Sequence, residues 1–238
     1  MSTLQTALLY ATLAGITIPL GGLCACFENI RSKWLEQELR HSVIAFGGGV
    51  LFAAIALVLV PEGMANVSLS LGVAMFVAGG VVFFVVDRAI QSQGGAGAQL
   101  MAMLLDFVPE SMALGAMLAT QNATALLLAG LIALQNFPEG FNAYRELVAG
   151  AKHKPRVILL ALWGVVVLGP LSAWLGYEFL RASPQVLGAI MLFAAGGILY
   201  LTFQDIAPQA RLKHHWAPSL AAVAGFTLGL LGDGLVHA

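Results

Sequence analysis

Apolar residues fall in eight long runs, near 5–27, 42–61, 69–87, 98–120, 124–146, 156–178, 186–206 and 217–236, separated by short polar stretches. Each run approaches or exceeds the roughly 20 residues that a helix needs to cross a bilayer. The pattern predicts an all-α integral membrane protein with eight transmembrane helices, forming one transmembrane domain over residues 1–238. The connections are short. The longest are "ENIRSKWLEQELRH" (28–41) and "DRAIQSQGGAGAQ" (87–99). The second, rich in Gly and Gln, reads as a flexible linker and the one break in the chain.

Composition agrees with that reading. The chain is 59% hydrophobic and 10% charged, with a mean hydropathy of +0.88, whereas a soluble domain carries about 25% charged residues. The net charge of −1 argues against nucleic acid or a strongly anionic surface as a partner and leaves the lipid bilayer. Of the 11 Lys and Arg residues, all but Arg181 fall on one side if the N-terminus lies outside. That side then holds Arg31, Lys33, Arg40, Arg88, Arg145, Lys152, Lys154, Arg156, Arg211 and Lys213. The bias predicts a multi-pass protein of the cell (inner or plasma) membrane with both termini extracytoplasmic. "MSTLQTALLYATLAG" lacks a basic lead-in, so a cleaved signal peptide is not expected. Cys24 and Cys26, near the end of the first helix, read first as packed small side chains and second as a metal or redox pair.

Two stretches break the apolar pattern. "LLDFVPESMALG" places Asp106 and Glu110 in the fourth run, and "LQNFPEGFNA" places Gln135, Asn136 and Glu139 in the fifth. The two runs form an antiparallel pair joined near "TQNA" (120–123). At about 1.5 Å per residue, Glu110 and Gln135 then lie roughly 16 and 18 Å from the turn, and Asp106 and Glu139 roughly 22 and 24 Å. Spacing of i, i+4 puts Asp106 with Glu110, and Gln135 with Glu139, on single helix faces. The pairing therefore sets Glu110 beside Gln135 and Asp106 beside Glu139. Pro109 and Pro138 precede the two glutamates and remove backbone hydrogen bonds to Leu105 and Leu134. Bent, partly opened helices at mid-membrane are a means of exposing ion ligands.

A carboxylate at the bilayer centre costs about 2.5–3.5 kcal/mol on insertion scales. Three of them point to a function, with protonated acids acting as interhelical glue as the bland alternative. Three carboxylates and two amides, without thiol or imidazole, make a hard oxygen site for a divalent cation.

"DFVPES" and "QNFPEG", on the fourth and fifth of eight helices, resemble the paired motifs of the ZIP (Zrt/Irt-like) family of divalent metal transporters. The resemblance is strongest in "LQNFPEGFNA" and extends to "AFGGGVLFAAIALVLVPEG" and "AIMLFAAGGILYLTFQDIAP" in the second and seventh helices. It implies a 3+2+3 arrangement, with helices 1–3 and 6–8 as inverted repeats around helices 4 and 5. It also implies movement of Zn, Fe, Mn, Cd or a similar ion into the cytoplasm, the metal being bound substrate and no cofactor being required. The chain departs from the family pattern at Asp106 and Phe107, where His-Asn is usual, at Ser111, where Gly is usual, and at Gly169, where Glu is common. One metal position, built by Asp106, Glu110, Gln135 and Glu139, is expected. The second keeps Asn136 but loses the contributions at 107 and 169. Loss of the imidazole shifts the expected preference from Zn²⁺ toward Mn²⁺, Mg²⁺ or Ca²⁺.

Other polar residues mark a candidate pathway. Asn142 and Glu146 continue the Glu139 face toward the inner side, with a snorkelling helix end as the alternative. Glu62 closes the second helix at the outer side, as an entrance ligand or an ordinary helix end. Asp205 stands at the inner end of the seventh, as an exit ligand or a partner for a basic loop. His153, His214 and His215 read as solvated loop residues. No H-E-x-x-H or nucleophile–base motif occurs, so the chain is not read as an enzyme. A transport-inactive sensor or partner subunit is the alternative, with an intramembrane enzyme using the paired acids as the more remote one. Homodimerisation is compatible with the sequence and not specified by it.

Overall fold

The computed structural model describes residues 1–28, 33–92, 98–150, 154–210 and 216–238, with side chains described at these positions except 33–36 and 98–99. The basic residues Arg31, Lys152, Arg211 and Lys213, the loop histidines His153, His214 and His215, and the centre of the Gly/Gln segment lie outside the described residues. All regular structure among the described residues is helical.

Among the described residues eight long helices follow one another. Helix α1 is Thr3–Phe27. Helix α2 spans 33–65 as Lys33–Ala53, a π-helical turn Ala54–Leu59 and Val60–Ala65. Helices α3 (Leu69–Ser92), α4 (Ala98–Ala119) and α5 (Ala125–Ala149) are continuous. Helix α6 is Pro155–Val165 and Leu168–Leu175 with a π turn Gly176–Leu180. Helix α7 is Pro184–Leu201, a π turn Thr202–Ile206 and Ala207–Ala210. Helix α8 is Ala217–Val236.

Local chemistry sets several ends. Ser2 and Gln5 form a capping box at the start of α1, satisfying two backbone donors reciprocally. Prolines open α6 and α7, where a missing N–H costs nothing. Gln121, at φ 56°, reverses the chain between α4 and α5 in the left-handed region, at a small steric cost.

Seven of these helices are long and apolar enough to cross a membrane. The remaining one, α5, has 25 residues, ample length for a bilayer. Its hydropathy is lowered by Gln135, Asn136, Glu139 and Asn142, all of which are buried. The most polar of the eight helices is thus shielded by its neighbours.

Three expectations need correction. The 87–99 linker is shorter than predicted, since α3 continues as helix to Ser92. The described part of that continuation is anchored, because Asp87 accepts hydrogen bonds from Tyr200 Oη (2.9 Å) and Gln91 Nε2 (3.0 Å). Cys24 and Cys26 are exposed and unbridged, because Gly21 and Gly22 occupy the inward face of α1 there. The prolines of α4 and α5 do not interrupt their helices; the irregular turns fall in α2, α6 and α7, and those of α2 and α7 come just before Pro61 and Pro208, whose missing N–H frees the carbonyls of Leu57 and Gln204 within them.

The helices sort into two sets by their packing. Helices α1, α4, α5 and α6 pack mainly on one another, as do α2, α3, α7 and α8, and the sets meet chiefly along α2–α5 and α4–α7. Four crossings are made by reciprocal glycines. A Cβ at Gly21 would lie 2.0 Å from Phe137 O, and one at Gly140 2.1 Å from Ile18 O. The same pattern joins Gly115 to Ala173 O and Gly176 to Met112 O, Gly49 to Ala222 O and Gly225 to Phe46 O, and Gly79 to Phe193 O and Gly196 to Phe76 O. Small residues of this kind let backbones touch, with Cα–H···O contacts adding to the packing.

These crossings are related in pairs. Exchanging α1 with α6 and α5 with α4 carries the first crossing onto the second, residue for residue. Exchanging α2 with α7 and α8 with α3 carries the third onto the fourth. The second exchange also superposes the π turn of α2 on that of α7.

The close crossings make a prediction. Gly140→Ala forces α1 and α5 apart, because the obstacle is backbone, and overpacking of this kind costs about 1–3 kcal/mol or more. At Gly130 nothing lies within 4 Å of an added Cβ, so Gly130→Ala gains helix propensity, about 1 kcal/mol, without a clash. Thermal melting in detergent micelles separates the two variants, Gly140→Ala falling well below Gly130→Ala. Equal melting would contradict the close α1–α5 approach.

Candidate metal site

The α4–α5 pair brings the acids and amides together. Gln135 Nε2 donates to Glu110 Oε2 at 2.5 Å. Asp106 and Glu139 face one small cavity together. Asp106 Oδ1 also accepts from the amide of Phe107 at 2.7 Å. Both side-by-side pairings expected from the spacing are present. Asp106, Glu110, Gln135, Asn136 and Glu139 are all 5% exposed or less.

The hydrogen-bond accounting is one-sided. Glu110 Oε1, Gln135 Oε1, Asn136 Oδ1 and both carboxyl oxygens of Glu139 are buried without a hydrogen-bond partner. The amide donors are used elsewhere, Gln135 on Glu110 and Asn136 Nδ2 on Ala14 O at 3.0 Å. What remains is an acceptor-only set. A buried acceptor left unpaired costs about 1–3 kcal/mol, and more when charged. A cation is one agent that satisfies several oxygens at once. No Lys, Arg or His occurs on α4, and on α5 the one basic residue, Arg145, is paired with Glu28.

Among the described residues, no three His, Cys, Asp or Glu side chains form by themselves a group that could hold a metal ion. Asp106 stands with Glu139 and Glu110 with the amide of Gln135, and an ion bound here would draw on amide oxygens as well as carboxylates.

Ser111 was missed as a site candidate. Its hydroxyl is fully buried and unpartnered, whereas Thr12, Thr17, Thr120, Thr202 and Thr227 bond back to carbonyls of their own helices. The usual local escape of a helical hydroxyl is not taken at Ser111, which adjoins Glu110. Position 107 is filled by an aromatic ring. Phe107 is 0% exposed, and its Cζ lies 2.7 Å from where a Cβ on Gly169 would stand and 3.1 Å from one on Gly15. The bulk at 107 and the absence of a side chain at 169 fit one another.

Two small cavities border Glu139. One also touches Asp106 and Asp205, the other Asn142 and Pro138, and each offers about 10 Å³ of space open to water, room for about one molecule. Leu51 and Ile206 line both. Ile206 also lines a large groove, about 1130 Å³, on the outside of α2, α7 and α8. That groove is mainly apolar and holds none of the site residues.

The pathway candidates divide. Asn142 is buried, shares a cavity with Glu139 and donates to Gln209 Oε1 at 3.0 Å. Asp205 reaches the Asp106–Glu139 cavity and lies within electrostatic range of Asp87 and Glu146. Glu146 has partners of its own. Glu62 is not a simple exposed end: Thr124 Oγ donates to its Oε1 at 2.6 Å and Asn122 Nδ2 to its Oε2 at 2.9 Å. Asp87, Asn122, Thr124 and Gln209 carried no sequence signal, since a single polar residue near a helix end is ordinary.

No protein-family model matches this chain, and no curated protein matches it.

Proposed function

We propose that the protein transports divalent metal cations across the membrane into the cytoplasm, through the mid-membrane carboxylate and amide site on α4 and α5. The observation that carries the reading is the acceptor-only set of buried oxygens on Glu110, Gln135, Asn136 and Glu139, beside Asp106. Ionisable residues inside a bilayer are costly and mark ion pathways by default. The resemblance of "DFVPES" and "QNFPEG" to ZIP motifs adds support. So does the pairwise relation of α1, α2 and α3 to α6, α7 and α8 by their glycine crossings, which suits an inverted-repeat carrier with its site at the repeat interface. Asp106, Glu110 and Glu139 neutralise the ion, and Gln135 and Asn136 supply neutral oxygens. The plasma or inner membrane, with the 120–124 turn outside, is the proposed location, on the strength of the basic-residue bias. A membrane potential of 100 mV then favours inward movement of a doubly charged ion by about 4.6 kcal/mol.

A single mononuclear position is proposed, because the Phe107 ring occupies the space beside Gly169. Purified protein in sealed vesicles, given Mn²⁺, Fe²⁺, Zn²⁺ and Cd²⁺ in competition at fixed free concentrations, should accumulate metal above protein-free vesicles. Metal bound at about one ion per chain, with no accumulation, would instead favour a transport-inactive sensor. Absence of both would remove the reading.

A further inference from the structure

Two polar ties cross the seam between the helix sets, one near each end of the molecule. At one end Glu62, on the last piece of α2, holds Asn122 and Thr124 at the α4–α5 turn. The Thr124 hydroxyl has one proton and lies 2.6 Å from both Glu62 Oε1 and Asn122 Oδ1, and the carboxylate is the stronger acceptor. The Asn122 side chain is set by the Thr124 amide, which donates to its Oδ1 at 2.9 Å. Asn66 Nδ2 secures the end of α2 on Glu62 O at 2.8 Å. At the other end Gln209, on the last piece of α7, accepts from Asn142 of α5 at 3.0 Å.

These ties occupy related places. The residue shift that carries Gly49 onto Gly196, and Phe46 onto Phe193, also carries Glu62 onto Gln209. Each stands three residues beyond a π turn, Ala54–Leu59 in one helix and Thr202–Ile206 in the other. Each reaches the α4–α5 unit, whose two helices are exchanged by the relation that pairs the first two crossings, although Asn142 then corresponds to Met117 and not to Asn122 or Thr124. Short connections make successive helices antiparallel, so α2 and α7 finish at opposite faces of the membrane. Glu139 lies between the ties, behind cavities that admit about one water.

We propose that Glu62 and Gln209 are paired closing residues, each shutting the ion site from one face of the membrane by fastening its helix set to the other. The inference rests on the transport reading for its purpose but not for its test. The ties are unequal. The Glu62 tie is charge-assisted and double, whereas the Gln209 tie is one amide–amide bond, and hydrogen bonds to charged groups are the stronger class.

The test uses single-cysteine reporters on α4, in full-length protein whose Cys24 and Cys26 are replaced by serine. Leu114→Cys lies one turn from Glu110 toward the 120–124 turn, and Ala102→Cys one turn from Asp106 in the opposite direction. Both parent positions are buried. A small, charged, membrane-impermeant thiol reagent is applied separately to each face of oriented vesicles. Glu62→Ala should raise the labelling rate at Leu114→Cys from the turn face by at least about tenfold, the scale of a lost charge-assisted bond, and leave Ala102→Cys no faster. Gln209→Ala should raise labelling at Ala102→Cys from the opposite face by roughly two- to tenfold, as for a neutral bond, and leave Leu114→Cys no faster. Thr124→Val, which keeps the side-chain shape, repeats the first arm if Glu62→Ala does not insert. Unchanged labelling in folded variants overturns the proposal. Equal gains at both reporters overturn it too, since that is general loosening. Because labelling needs no metal, a protein that fails to accumulate metal can still pass or fail this test.

Discussion

Glu139→Ala is expected to abolish metal uptake while leaving the protein folded and inserted. Glu139 is the residue on which the site converges. It faces Asp106, borders both small cavities, and has two buried oxygens with no donor on either. Removing it takes away a carboxylate without orphaning a hydrogen-bond donor, so the usual penalty for breaking a buried pair is absent. Relief of repulsion from Asp106 and Glu110 offsets part of the lost packing, and melting should shift little. Uptake should fall by a hundredfold or more, on the order expected when a charge-neutralising ligand worth about 3 kcal/mol or more is lost. Glu139→Gln keeps the shape and one oxygen and should retain a small residual rate. Uptake by Glu139→Ala near the wild-type rate, in protein of normal melting behaviour, would remove Glu139 from the ion's path.

The helices and the polar core were legible for different reasons. Length and hydropathy announce a membrane span whatever it packs against, so the eight runs coincide with α1–α8 to within a few residues at most ends. The start of α2 and the end of α3 run farther, because their last turns are amphipathic and leave the apolar window. The Glu110–Gln135 and Asp106–Glu139 pairings followed from helical rise and an antiparallel turn, which fix depth without a structure. The glycine crossings did not follow. With 27 glycines in the chain, most of them in helices, nothing in the sequence separates Gly140, pressed on Ile18 O, from Gly130 in open space. The π turns of α2 and α7 carried a signal in Pro61 and Pro208, which remove backbone bonds to Leu57 and Gln204, but a proline near a helix end does not by itself tell a π turn from an ordinary helix start. Glu62 was visible as an acid near a helix end, but its partners Asn122 and Thr124 lie about sixty residues away in a turn that reads as an ordinary polar loop.

Asp106→His is expected to move metal preference toward Zn²⁺ or Cd²⁺ and away from Mn²⁺. Asp106 stands where the resemblance places histidine, is 4% exposed, and shares a cavity with Glu139 and Asp205. In the wild type every candidate ligand is oxygen, a set that suits hard ions. One imidazole nitrogen raises affinity for the borderline metals, and the loss of one negative charge lowers affinity for the hard ones, so both changes move the ratio the same way. A tenfold change in the Zn²⁺-to-Mn²⁺ uptake ratio corresponds to about 1.4 kcal/mol, modest for exchange of one ligand. Binding should also become steeper in pH near neutrality, because an imidazole with an ordinary pKa of about 6.5 must be neutral to coordinate. Uptake through the mutant is then lost as pH falls through that range. Asp106→Asn separates the two causes. It removes the charge but supplies no ring nitrogen, so it should weaken Mn²⁺ uptake without gaining the same Zn²⁺ preference or pH dependence. The cavity beside Asp106 has space for about one water, and the larger ring must fill that space and shift Met103 or Leu201. A lower overall rate is therefore expected, and the informative quantity is the ratio of two metals taken up by the same vesicles. An unchanged ratio with uptake intact would place Asp106 outside the ion's coordination and leave Glu110, Gln135 and Glu139 to hold it.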